Sequence, residues 1–194
     1  MRRLICLGLL TVGFFAFGCA RQIVVTPPLE GFSAGGNGKI DKAVGYHISP
    51  ENLAKEVITP AGGGDKVKYL PYKESEPALG KVLSNIFREV YSVPSLGNAD
   101  FIKSKNISFI FTPTIVTDSS SRSMWIWPPS DFKVSLDCKA TDASGAVVWE
   151  TSIKAEANMR LPDVARDHAL AAKEAFQKAF LELQGKILDS GKFR

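Results

Sequence analysis

Histidine and cysteine are scarce in this 194-residue chain, which holds only His47 and His168 of the first and Cys6, Cys19 and Cys138 of the second. Structural zinc sites take their ligands from these two residue types at short spacings, and disulfide frameworks need paired cysteines, so neither a metal site nor a cystine scaffold is expected. No sign of charge dominates either. Lys plus Arg number 24 against 20 Asp plus Glu, a net charge of +4, and no nucleic-acid partner is expected from so slight an excess. Gly62-Gly63-Gly64-Asp65 is the one glycine run beside charge, but no Gly-Lys-Ser/Thr follows it and no helix opens after it, so it reads as a turn rather than a phosphate loop. What remains is 45% hydrophobic, 10% aromatic and 23% charged, the balance of one ordinary globular domain.

The N-terminus carries the most specific pattern. Arg2 and Arg3 precede the apolar run Leu4–Phe17, which is too short to cross a hydrocarbon core of about 30 Å and has the layout of a secretory signal peptide. Its loss removes two cations and leaves +2. The run closes on Ala16-Phe17-Gly18-Cys19, with small residues one and three places before the cysteine. This segment resembles the lipobox of bacterial lipoproteins, although that family usually has Leu where Ala16 stands and a less bulky residue than Phe17. The resemblance implies that residues 1–18 are removed and that Cys19 becomes the acylated first residue. Two or more acyl chains, at about 0.8 kcal/mol per buried methylene, anchor a protein to a membrane it does not span. Ala20, in place of an Asp, implies export to the outer membrane. Cys138 is then the one remaining thiol, on the apolar face of a strand, where a buried inert side chain is expected.

Residues 19–40 contain Pro27-Pro28 and the Gly-rich stretch after Ala34, so a lipidated cysteine followed by a flexible tether is expected, with Ile23–Val25 as a candidate edge strand. Residues 41–194 form the domain. Strands are expected over 43–48, 66–72, 107–117, 131–141 and 146–157, the last two joined by the hairpin turn Asp142-Ala143-Ser144-Gly145. Within that hairpin Val147, Trp149, Ile153 and Ala155 point inward. Ser49 and Pro50 start a short helix. A second helix is expected over 76–91, capped by Ser75, from the stripe Leu79, Val82, Leu83, Ile86 and Val90. A long third one runs over 163–188, with Asp163 and Asp167 at its positive end. The order gives an α+β fold: a two-layer sandwich, mostly antiparallel sheet, two main helices on one face.

For chemistry, Ser119–Ser123 with His47 or His168 offer only a loose nucleophile and base set, and Asp163 with Asp167 suits the helix dipole better than acid-base work. The distinctive segment is Met124-Trp125-Ile126-Trp127-Pro128-Pro129. Two indoles in a proline-flanked loop cannot both face a conventional core, and Trp is favoured at membrane interfaces and binding hot spots. Met124, Trp125, Ile126 and Trp127 are therefore the expected partner or membrane contact, unless the two indoles fold back over a sheet edge.

The lipobox, tether, strand and helix order, the hairpin ending Gly145-Ala146-Val147-Val148-Trp149 and the Ala-rich last helix together resemble small Gram-negative outer-membrane lipoproteins of the YajG-like group. Lipoproteins of lipopolysaccharide assembly, exopolysaccharide secretion of the PelC type and transporter auxiliaries have comparable plans. The resemblance implies a non-enzymatic accessory or scaffold in an envelope assembly or export complex, without cofactor or metal, bound to membrane lipid through Cys19 and to an envelope protein or further copies of itself. A glycan- or lipid-binding module is the alternative, favoured if Trp125, Trp127 or Tyr91 lines a pocket.

Overall fold

The computed structural model describes residues 20–33 and 38–194, so the expected signal peptide and the acylation of Cys19 lie outside the described residues. Strand β1 (Arg21–Gln22) opens the described chain, and β2 (Ile40–Tyr46) leads into the short helix α1 (Pro50–Leu53). Ser49 caps that helix as expected, its Oγ accepting the Asn52 N–H at 3.2 Å. Next come β3 (Val57–Pro60) and β4 (Lys66–Tyr69), joined through the glycine turn. Helix α2 (Pro71–Ile86) passes directly into β5 (Phe87–Ser92), and α3 (Ala99–Ser104) precedes β6 (Ile107–Ser120), β7 (Asp131–Asp142) and β8 (Val147–Asn158). Helices α4 (Leu161–Arg166) and α5 (Leu170–Asp189) close the chain.

Five strands form the main sheet in the order β5-β2-β6-β7-β8, and β1-β4-β3 form a small second one. The long ladders β6–β7 and β7–β8 are antiparallel, while β2 runs parallel to both β5 and β6. Parallel pairing requires a crossover, and α2 supplies it between β2 and β5. Helices α2 and α5 lie together on one face of the sheet, so the α+β sandwich is as expected. Its core joins Leu79, Val82, Leu83 and Ile86 of α2, Phe132, Leu136 and Cys138 of β7, and Ala172, Ala175, Phe176, Ala179, Phe180 and Leu183 of α5, all at most 1% exposed. The alanines let α5 approach the sheet closely and the two phenylalanines fill the space beyond. Burial pushes the Cys138 thiol up to about 12, an inert group.

Four expectations are corrected. The flexible tether does not hold over the described part of 19–40: Ile23, Val25 and Phe32 are buried, the Val25 N–H donates to Glu74 Oε2 at 2.5 Å, and Asn85 and Gln184 side chains donate to the carbonyls of Phe32 and Ser33. Alternate apolar residues in a Pro-containing segment are enough to pack it along the two helices. Helix α2 begins at Pro71 rather than after Ser75 and stops at Ile86, because Pro is suited to the first helical position and Phe87, Val90 and Tyr91 favour strand. Ser75 is inside it, its hydroxyl donating to the Pro71 carbonyl at 2.6 Å. The last helix is two helices, broken where Asp167 turns extended and its Oδ1 accepts the Ala169 N–H at 3.0 Å. Finally, Val147 is 56% exposed: a bulge pairs Ala140 with Trp149 but Thr141 with Val147, which turns Val147 outward.

Pro113 pairs opposite Cys138 without a register shift. Beyond Phe111 the β2 side of β6 has no ladder partner, and the Ile115 N–H on that side donates to Tyr72 Oη at 2.9 Å. Pro113, two residues earlier, turns its nitrogen the same way, to a position where a missing N–H leaves no ladder bond unmade.

Candidate functional site

The loop between β6 and β7 is held by its own polar residues. The Ser123 hydroxyl accepts the N–H groups of Trp125 and Ile126, both at 3.0 Å, and the Arg122 N–H donates to Ser130 Oγ at 3.0 Å. The Arg122 guanidinium reaches Asp131 at 2.9 Å and Asn158 at 3.0 Å. Ser119 is buried, donating to the Pro60 carbonyl and lying 2.6 Å from Thr59 Oγ1. Tyr69 Oη and Thr117 Oγ1 extend that hydroxyl cluster and fasten the small sheet to β6. Burial raises the Tyr69 phenol, so it stays a neutral hydrogen-bonding group.

The glycine turn has a purpose that its sequence alone did not disclose. The Gly62 N–H donates to the Trp127 carbonyl at 2.9 Å, and a Cβ at Gly62 would lie 1.8 Å from the Ile126 carbonyl oxygen. The loop backbone rests directly on this glycine. Gly63, at φ +66°, leaves similar room for the Met124 carbonyl.

The four loop side chains separate. Trp127 folds back and stacks: the Arg21 guanidinium sits 4.6 Å from its ring centroid, and the His168 ring packs edge-on with centroids 4.5 Å apart. Arg21 also reaches Asp65 at 3.1 Å. One indole thus ties together β1, the glycine turn and the junction of α4 with α5. Ile126 is half-buried. Met124 and Trp125 instead stand 82% and 95% exposed. A side chain that open walls no cavity, and Tyr91 packs on Phe101 elsewhere, so the aromatic residues do not converge on one pocket.

Nor does the structure assemble the loose catalytic set. His47 Nδ1 lies 2.8 Å from the Val93 carbonyl, His168 is engaged with Trp127, and the serines hold the loop. Asp163 pairs with Arg160 at 2.9 Å. Asp167 is held below the usual carboxylate range: partial burial pushes it up, but Lys173 at 2.7 Å and the Ala169 N–H outweigh burial. Among the described residues no cluster of three or more His, Cys, Asp or Glu could hold a metal, and no helix is long and apolar enough to cross a membrane.

The face of β6–β8 turned away from the helices is a second candidate surface. Lys133 stands between Asp118 and Glu156, Lys139 between Thr112 and Glu150, and Asp137 between Thr114 and Ser152. The charges alternate in sign across the strands.

The architecture recurs in solved proteins. A Xanthomonas campestris protein of the family described as DUF330 superposes with a TM-score of 0.58 at 12% identity, over 89% of this chain and 97% of that one. At this identity the likeness shows a shared fold and nothing finer. The dodecamer-forming PelC of Paraburkholderia phytofirmans gives 0.45 at 14% identity, over 78% of this chain and 94% of that one. A neuraminyllactose-binding hemagglutinin homologue from Helicobacter pylori gives 0.43 at 10% identity, over 86% and 96%. These two scores are too low to argue from. No family model and no curated protein matches the sequence.

Proposed function

We propose that this chain is a non-enzymatic accessory protein of the bacterial envelope, acylated at Cys19, held at the periplasmic face of the outer membrane, and acting as a scaffold in an assembly or export complex. The observation that carries the reading is the position of Arg21. Two residues after the lipobox cysteine, it is paired into the small sheet and stacked on Trp127, so a lipid on Cys19 joins the folded body with almost no spacer. The YajG-like resemblance, carried by the lipobox and the element order, supports the same reading. For a scaffold, the open face of β6–β8 supplies alternating charges that favour one register of contact with an envelope protein or a second copy over others.

Mass spectrometry of the mature native chain tests the anchor. The expected product begins at an acylated Cys19, incorporates labelled palmitate, loses the label in Cys19→Ser, and fractionates with outer membranes. A bare thiol, or recovery in the soluble cytosol, refutes the reading. Crosslinking in intact cells tests the scaffold: Lys139→Glu is expected to cut a stoichiometric crosslink to an envelope protein or to a second copy, and the absence of any such crosslink in the wild type refutes that half.

A further inference from the structure

Resting on the acylation of Cys19 proposed above, we infer that Met124 and Trp125 form a wedge that enters the headgroup region of the same bilayer, so that the domain is seated on the membrane by two neighbouring points. Three independent observations converge. Two adjacent apolar side chains are exposed by 82% and 95% at a loop tip, where an indole with its apolar body and polar N–H suits the membrane interface. The exposure is built in: the Ser123 hydroxyl, the Gly62 N–H and the Arg122–Asp131 pair hold the loop backbone beneath the tip. And the described chain begins beside it, one residue after Cys19. Cys19 is two residues from Arg21, hence within about 7 to 8 Å of it along the chain, while the Arg21 guanidinium lies on the Trp127 ring, two residues from Trp125. A domain hung on a long tether has no preferred face toward the membrane. One joined at Arg21 presents this loop.

The charges around the tip decide what kind of contact it makes. Arg21 is paired with Asp65 and Arg122 with Asp131, so the two cations that hold the loop are compensated and do not form a basic patch for anionic headgroups. The contact is apolar and aromatic, and it is expected to survive high salt, unlike a basic patch.

The test uses the full mature chain purified from membranes and reconstituted into phosphatidylethanolamine–phosphatidylglycerol vesicles, with or without brominated acyl chains. Trp127 and Trp149 also fluoresce, so the signal of Trp125 is the difference between the wild type and Trp125→Phe, a substitution at an exposed site that leaves the fold intact by circular dichroism. Expected is bromolipid quenching of that difference signal, with protection from aqueous iodide, unchanged in 1 M salt on the order used to screen surface charge. Gly62→Ala keeps both apolar side chains but pushes on the Ile126 carbonyl, and is expected to reduce the quenching several-fold. A Trp125 signal open to iodide and untouched by bromolipid overturns the wedge, as does protection that appears only when envelope proteins are added. The mass of the purified chain, measured before reconstitution, reports separately on the acylation: a bare Cys19 sinks the anchor, and an unquenched Trp125 on an acylated chain sinks the wedge alone.

Discussion

Two tryptophans, two positions apart in sequence, have opposite environments, and that difference is measurable. Trp127 lies between a guanidinium and an imidazole; Trp125 touches almost nothing. Truncating Trp127 to Ala removes a half-buried indole and a cation–π contact, and is expected to destabilise the fold by about 2 kcal/mol in urea denaturation. Proteolytic cleavage within residues 20–33 should become faster, since β1 loses the ring that Arg21 rests on. Trp125→Ala, by contrast, should stay within about 0.5 kcal/mol of the wild type. Equal effects from the two substitutions would contradict this arrangement. At Gly62 the limit is steric: a Cβ 1.8 Å from the Ile126 oxygen cannot be accommodated without moving the loop or the turn, and Gly62→Ala should cost about 1 to 3 kcal/mol.

At the scale of elements, the β7–β8 hairpin is the most self-contained unit, and its turn gives it a pH dependence. Asp142 Oδ1 accepts the Ser144 hydroxyl at 2.6 Å and the N–H groups of Ser144 and Ala146 at 2.8 and 3.0 Å. These bonds, the hydroxyl foremost, hold the carboxyl below its ordinary value. A carboxyl depressed on folding stabilises the fold above its unfolded value and ceases to do so as pH falls through the folded one. Stability should therefore decline on acidification from about pH 4 downward, near the ordinary Asp value, and the part of that decline due to this turn should vanish in Asp142→Asn, read by denaturation at stepped pH. The same hairpin shows why some elements were legible in the sequence. Strict alternation from Phe132 to Ala140 and the Asp-Ala-Ser-Gly turn are local signals, and the stripe Leu79 to Ile86 is another. What escaped depends on partners distant in sequence. Val90 continues the helical spacing, yet the chain leaves the helix at Phe87 because β2 offers a parallel edge. The bulge that turns Val147 outward belongs to the pairing with β7; the break at Asp167 is the exception, a local one, set by the Ala169 N–H and Lys173 two and six residues on. In the loop, the exposed indoles could be suspected from composition, but which one folds back depends on Arg21 and His168, more than 100 and 40 residues away by numbering.

At the scale of the whole molecule, both ends of the described chain are structural members of the sandwich. Toward the start, Asn85 Nδ2 bridges the Phe32 carbonyl and Gln184 Oε1, both at 3.1 Å, so one buried amide joins the N-terminal segment, α2 and α5. At the other end Phe193, the penultimate residue, is 1% exposed. It packs against Phe87, Phe109, Phe111 and Trp149 at centroid separations of 5.9, 5.2, 5.3 and 5.6 Å. These four rings come from β5, β6 and β8, strands on both sides of the sheet centre, and no other side chain contacts all four rings in this way among the aromatic pairs described. A residue that closes an aromatic cluster from outside regular structure cannot be replaced by sliding a helix or strand, so its loss leaves a cavity rather than a collapse. Phe193→Ala is expected to destabilise the protein by about 3 to 5 kcal/mol, the range for a fully buried aromatic, while Arg194→Ala next to it should be nearly neutral. Thermal unfolding of the two variants decides the matter: matching melting temperatures would mean that the C-terminus is an appendage, and a large drop confined to Phe193→Ala would mean that it seals the core.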